Sequence, residues 1–301
     1  QKTEKDKESG KKRYSGFSYA MINKNKIKEF WKKTLLEARQ IPLQPTQIQL
    51  QESVPYIVEK ITYKSLNGFL ITCLLSKPAG KTNKLPAIIT IPGYGGWEQS
   101  ITLSECQRGY VILQVFPRKQ GLSSKLRPGE KISGPGYLLQ DIENPEGYFY
   151  QGAYIDVIRG IDYLATRGDV DTKRIGIMGT SQGGGIALSV SGIDSRIKTI
   201  VAHVPFFCDM RYNPAFKNTE LNNPGYLDNF DYFDPVNLAP MGKAPVLLSS
   251  GGQDETCPAE TIKSVFEKLR GIKALIHYPD LTHTSCTDFY LFSWNWMPLY
   301  L

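Results

Sequence analysis

The sequence predicts an α/β fold, a doubly wound and mostly parallel sheet with helices on both faces. Three observations carry this. Beyond residue 150, strand-like and helix-like segments alternate, as successive βαβ units do. The runs at 85–91 and 110–116 are apolar at nearly every position, as strands covered on both faces must be. Glycine-rich turns follow two of the apolar runs, at Gly93-Tyr94-Gly95-Gly96 and Gly179-Thr180-Ser181-Gln182-Gly183.

Taken in order, residues 1–22 are polar and basic and read as a flexible tail. A helix starts near Asn23, because Ile27, Phe30, Trp31, Leu35 and Ala38 recur on one helical face, and Ile41-Pro42 ends it. Runs at 56–63 and 69–75 flank Leu66-Asn67-Gly68 and read as an antiparallel pair at the sheet edge. Strands at 85–91 and 110–116 follow. Residues 117–150, rich in Gly, Pro, Lys and Tyr, are too long for a plain connection and read as a functional loop or interaction surface. A helix at 154–166, a strand at 174–178, a helix at 184–191 and a strand at 199–203 come next. Residues 206–240 are irregular and aromatic. A strand at 245–249, a helix at 259–269, a strand at 274–278 and a helix at 289–297 complete the chain. With no repeat and no linker, residues 23–301 read as one domain.

Composition narrows the function. The formal charge of +7 sits in residues 1–33, which hold eleven Lys or Arg and four Asp or Glu, so the other 268 residues are neutral. That leaves no basic field for nucleic acid. No apolar run approaches the roughly 18 residues of a membrane span. The five cysteines form no CxxC pair, and free, mostly buried thiols are expected. The chain starts at Gln1 rather than Met, which leaves a removed export signal open, and with it the choice between cytoplasm and periplasm or secretion.

The sharpest chemical signal is Gly179-Thr180-Ser181-Gln182-Gly183, between an apolar strand and a small-residue helix. A nucleophile elbow needs this context, with Ser181 exposed on the turn. Serine needs a base. Of His203, His277 and His283, the last lies in a loop just past the final core strand, where catalytic groups of parallel sheets collect. His277 reads as a structural strand residue, and His203 ends the strand after the elbow helix, at the site edge. The base needs an acid to fix its tautomer. Asp254 lies past the strand at 245–249, whereas its competitor Asp280 shares a loop with His283 and reads as a turn residue. The order Ser, Asp, His is that of the α/β-hydrolases. An oxyanion hole needs two backbone N–H groups, expected from Gln182 and Tyr94. No metal or organic cofactor is called for.

With these residues placed, the chain from about 27 to 301 resembles the acetyl xylan esterase and cephalosporin C deacetylase family, the seventh family of carbohydrate esterases. The segments that carry the likeness are YFYQGAYIDVIRGID at 148–162, GTSQGGGIAL at 179–188, VPFFCDMR at 204–211 and GGQDETCPAET at 251–261. Two positions depart from the family pattern: Pro92 stands where a His usually precedes Gly-Tyr, and Lys119 interrupts Arg-Gly-Gln-Gly. The proline removes a donor and the lysine restricts positive φ. The resemblance implies deacetylation of xylo-oligosaccharides and other small acetates, and a homo-oligomer, specifically a hexamer. The expected reaction is acyl transfer through Ser181, with Tyr94 and Phe206 walling a small acyl pocket. Two other readings stand beside it. One is a non-catalytic binding protein, suggested by Pro92 and Lys119. The other is a prolyl oligopeptidase-type serine peptidase, against which the short N-terminal segment argues.

Overall fold

The computed structural model describes residues 23–53, 55–96, 103–124 and 136–301; the basic tail expected at 1–22 lies outside the described residues, as does 125–135 of the long loop. Nine strands form one sheet: β1 (Thr46–Ser53), β2 (Tyr56–Lys64), β3 (Leu70–Pro78), β4 (Leu85–Ile91), β5 (Val111–Val115), β6 (Val170–Thr180), β7 (Ile197–His203), β8 (Val246–Gly251) and β9 (Lys273–Tyr278). Their spatial order is β1-β2-β3-β5-β4-β6-β7-β8-β9. The first three strands run antiparallel, β3 joins β5 antiparallel, and every later pairing is parallel. The strand order reverses direction at β4 and β6, so the crevice beyond their carboxyl ends is where a ligand is expected.

The helices are α1 (Lys24–Gln40), α2 (Leu103–Gln107), α3 (Phe149–Thr166), α4 (Gln182–Ile193), α5 (Pro224–Phe230), α6 (Pro235–Leu238), α7 (Ala259–Lys268) and α8 (Thr287–Tyr300). Asn23 caps α1 by accepting the Asn25 N–H. Its apolar stripe buries Ile27, Trp31 and Ala38, and Trp31 stacks on Tyr154 of α3. Helix α3 is buried on nearly every face. A helix so enclosed must partner its polar groups internally. Asp156, fully buried, accepts from Ser65 Oγ and from the Arg118 backbone N–H, Nε and Nη2 at 2.5–2.9 Å. This bidentate pair fixes the start of the loop that follows β5.

Four parts of the chain differ from expectation. The pair β2–β3 is not the edge, because β1 pairs outside it. Helix α3 starts five residues earlier than its periodicity indicates, and β6 extends beyond 174–178 at both ends. The stretch 206–240 holds α5 and α6 and several single 3-10 turns. Among the described residues, no helix is long and apolar enough to cross a membrane.

Candidate active site

Strand β6 runs into α4 through Ser181, whose φ of 54° and ψ of −118° lie in a region that L-residues rarely occupy. The flanking glycines make the turn possible. A Cβ on Gly179 would run into the Gly183 backbone, and one on Gly183 into the carbonyl of Ile91 on the neighbouring strand. Hydrogen bonds hold the strained residue: its N–H donates to the His203 carbonyl at 2.9 Å, and its own carbonyl accepts from Gly185 and Phe206.

Ser181 Oγ lies 2.9 Å from His283 Nε2, and His283 Nδ1 lies 2.8 Å from Asp254 Oδ2. The three side chains, from the ends of β6, β8 and β9, thus form one hydrogen-bonded chain. The carboxylate is fully buried, while the imidazole is 28% exposed. Asp254 Oδ1 accepts the backbone N–H groups of Thr256 and Cys257 at 2.9 and 2.8 Å, so both its oxygens are engaged. An acceptor-only carboxylate makes Nδ1 the donor, which leaves Nε2 free to take a proton from the serine. Asp280 is exposed and stands outside this arrangement.

The turn after β4 lies against the nucleophile, with Gly93 beside Ser181 Cβ. The Gly95 N–H donates to Gln120 Oε1 at 2.8 Å, and the Gly96 N–H to the Gly93 carbonyl. Among the described residues, no carbonyl takes the N–H of Tyr94 or that of Gln182, the first residue of α4. The Gln182 side chain is buried and donates to the Tyr150 hydroxyl at 2.8 Å. The Tyr94 hydroxyl accepts the Tyr137 N–H at 2.6 Å and the two rings pack together, so this side chain also holds the segment that ends the 117–150 loop. Phe206 packs edge-on against Phe216 and Phe207. Pro92 directly follows β4 and precedes this turn, and Lys119 takes φ of 64°.

An open cleft of about 630 Å³ lies over Gly252, Asp254, Thr256 and His283. Donor atoms of Asp254, Cys257 and His283 lie within 4.8 Å of one another. An ion bound among them would displace the His283–Asp254 hydrogen bond, so the set overlaps the serine site. Burial pushes the Cys257 thiol well above its usual range, with the charge of Asp254 adding to the shift and the Ser181 hydroxyl opposing it. The thiol therefore stays protonated beside the nucleophile.

Sequence reasoning did not reach the parts played by Gln120 and Tyr150. His277 is exposed on β9 and bonds Ser250 on the adjacent strand at 2.9 Å. His203 is buried at the end of β7, where it is the cross-strand partner of Thr180 at the end of β6.

Comparison with known proteins places the chain. A family model described as acetyl xylan esterase matches residues 12–297. A curated acetyl esterase of Xylanibacter ruminicola is 26% identical over 311 residues, covering 93% of this chain and 69% of that protein. The structure of an acetyl xylan esterase from a Paenibacillus species superposes with a TM-score of 0.86 at 26% identity, over 94% of this chain and 97% of that one. Acetyl xylan esterase 1 from a Thermoanaerobacterium species gives 0.81 at 21% identity, over 90% and 92%, a likeness of fold. The α/β-hydrolase sheet and the family match agree, and the chain belongs to the acetyl xylan esterase family of carboxylic ester hydrolases.

Proposed function

We propose that this chain removes acetyl groups from acetylated carbohydrates, with xylo-oligosaccharides the first substrates to consider, by forming an acyl-enzyme on Ser181. The observation that carries the reading is the unbroken hydrogen-bonded chain from Ser181 through His283 to Asp254. His283 takes the serine proton as Oγ attacks the acetyl carbonyl, and Asp254 stabilises the imidazolium that results. The N–H groups of Gln182 and Tyr94 hold the oxyanion, Gln182 at the positive end of α4. Protonated His283 then releases the sugar alcohol. Water, activated by the same histidine, frees acetate. Phe206 borders the acyl group, a placement supported by its N–H bond to the Ser181 carbonyl, and Tyr94 closes the other side. In solution the chain is a homo-oligomer, a hexamer on the family pattern, which sedimentation measures directly.

The test is initial rates on p-nitrophenyl acetate, butyrate and octanoate, followed by acetylated xylo-oligosaccharides. Acetate is preferred, and Ser181→Ala loses on the order of a millionfold in kcat. A wild-type protein silent on all acetates, or a Ser181→Ala variant of equal rate, overturns the reading.

A further inference from the structure

The proposed mechanism uses one histidine, and the structure holds a second one in full employment. His203 ends β7 with only 6% of its surface exposed, its ring lying nearly parallel to Phe289 of α8 at 5.0 Å between centroids. Its Nε2 is 2.9 Å from the carbonyl oxygen of Thr284, the residue after His283. Its Nδ1 is 2.6 Å from Ser249 Oγ on β8. A carbonyl can only accept, so Nε2 carries the hydrogen. Nδ1 then accepts from the Ser249 hydroxyl, whose oxygen in turn accepts the Val204 N–H at 3.0 Å. Every donor in this cluster has an acceptor only while the imidazole is neutral in that one tautomer. Burial pushes its pKa down, and nearby His283 adds to the shift against the opposing Thr284 carbonyl and Asp254.

The same residue reaches the nucleophile by its backbone, since the His203 carbonyl accepts the Ser181 N–H at 2.9 Å. Its side chain therefore tethers the loop of the base while its main chain tethers the serine. On the other side of His283 the Leu281 carbonyl accepts the Gln253 N–H at 3.0 Å, and among the described residues no other hydrogen bond ties Thr282, Thr284 or Ser285 to the body of the protein. The His283 side chain contributes its two bonds within the catalytic chain, and those can be only as well aimed as the loop that carries them.

We propose that His203 is a positioning residue that fixes His283 relative to Ser181 through the Thr284 carbonyl. This rests on the serine-esterase reading. Misplacing a reacting group by about 1 Å costs up to roughly a hundredfold in rate. His203→Phe keeps the ring stack and removes both ring nitrogens, so it should lower kcat on p-nitrophenyl acetate 10- to 100-fold, with KM within about threefold. His203→Gln can still donate to Thr284 and should recover to within about fivefold of wild type. A purely structural histidine predicts a lower Tm with wild-type kcat well below that Tm, and that result overturns the proposal. Where His203→Phe does not fold, His203→Asn against His203→Gln decides: Asn is too short to reach Thr284 and should be at least tenfold slower, and equal rates overturn the proposal. The rate at which a fluorophosphonate labels Ser181, run on the same variants, reports the alignment of the site whatever the substrate. Loss of acetate hydrolysis with labelling intact in the wild type sinks the substrate reading alone. Equal labelling rates in wild type, His203→Phe and His203→Asn sink the positioning role alone.

Discussion

Replacing Asp254 by Asn separates catalysis from stability at a single atom. Asp254 Oδ1 accepts two backbone N–H groups, from Thr256 and Cys257, and Oδ2 faces His283 Nδ1. An asparagine must keep its carbonyl oxygen toward the two N–H groups. Turning the amide over would leave them without an acceptor at a site with no exposed side-chain surface, at about 1–3 kcal/mol each. The NH2 therefore points at Nδ1 and forces it to accept. The hydrogen moves to Nε2, which faces Ser181 Oγ and can no longer take its proton. A wrong-tautomer substitution of this kind lowers kcat by about 10⁴ in a serine protease, equivalent to roughly 5.5 kcal/mol of barrier. Asp254→Ala leaves the imidazole free to choose its tautomer but strips both N–H groups of their acceptor. Asn should thus unfold within a few degrees of wild type and be no more active than Ala, while Ala melts clearly lower. Steady-state kcat on p-nitrophenyl acetate and thermal unfolding, run on the three proteins, check this. An Asn variant that keeps more than a tenth of wild-type kcat refutes the tautomer argument.

Ser181→Gly removes the nucleophile and also the side chain that makes φ of 54° costly, so the dead enzyme should melt about 2 °C higher, from roughly 1 kcal/mol of relieved strain; an unchanged or lower Tm by calorimetry counts against stored strain at the elbow. Cys73, Cys106, Cys208 and Cys257 are buried and Cys286 is half-exposed, so a disulfide reagent should label one thiol in the native protein and five after unfolding, with Cys286→Ser removing the native signal. Burial alone would raise the Asp169 carboxyl, but hydrogen bonds from Arg167 and Lys77 overcome it and hold the pKa well below the usual range. A depressed carboxylate stabilises above its unfolded value, near 4, and loses that contribution as pH falls through the folded value. Asp169→Asn should therefore cost about 1–2 kcal/mol at neutral pH, and less as the pH is lowered below 4; a difference that persists unchanged at pH 3 in denaturant titrations contradicts this.

Much of this molecule is legible locally. Continuous apolar runs announce β4 and β5, and the glycine spacing around Ser181 announces the elbow, because backbone crowding there leaves no other residue type. What was not legible depends on partners far along the chain. Strand β1 reads as Thr-Gln-Ile-Gln-Leu-Gln-Glu-Ser, and its apolar Ile48 and Leu50 face solvent, so only pairing with β2 makes it a strand. The first turn of α3 is aromatic and glycine-bearing, and tertiary burial of Phe149 and Tyr150 overrides a weak helical pattern. The helices inside 206–240 did carry a readable signal, Asn223-Pro224 and Asp234-Pro235, in which the polar side chain caps a proline-started helix. In the site, glycine context and strand ends were enough for Ser181, Asp254 and His283 to be named as candidates. The clamp of His203 was not visible, since its partners Ser249 and Thr284 lie 46 and 81 residues away.

Of the eight described non-glycine residues with positive φ, five mark the same region, and Gln44, Asn67 and Asp141 lie elsewhere. Lys119, Ser181, Val204, Phe207 and Asp209 all take positive φ without being glycine, and they follow the carboxyl ends of β5, β6 and β7. Left-handed backbone in a β-branched residue such as Val204 is a true outlier. It persists only because its surroundings over-determine it. The Val204 N–H is held by Ser249 Oγ, Ser181 by the His203 carbonyl, and the N–H groups of Asp209 and Met210 by the carboxylate of Asp234. Two of these three restraints come from strands β7 and β8, which also carry His203 and Ser249. The hydrogen bonds that hold the strain and those that aim the base therefore share atoms. Ser249 Oγ is the joint between them, giving its hydrogen to His203 and taking one from Val204. Loosening that joint should release the backbone after β7 and the loop of His283 together, and for that reason strain and catalysis at this site cannot be tuned independently.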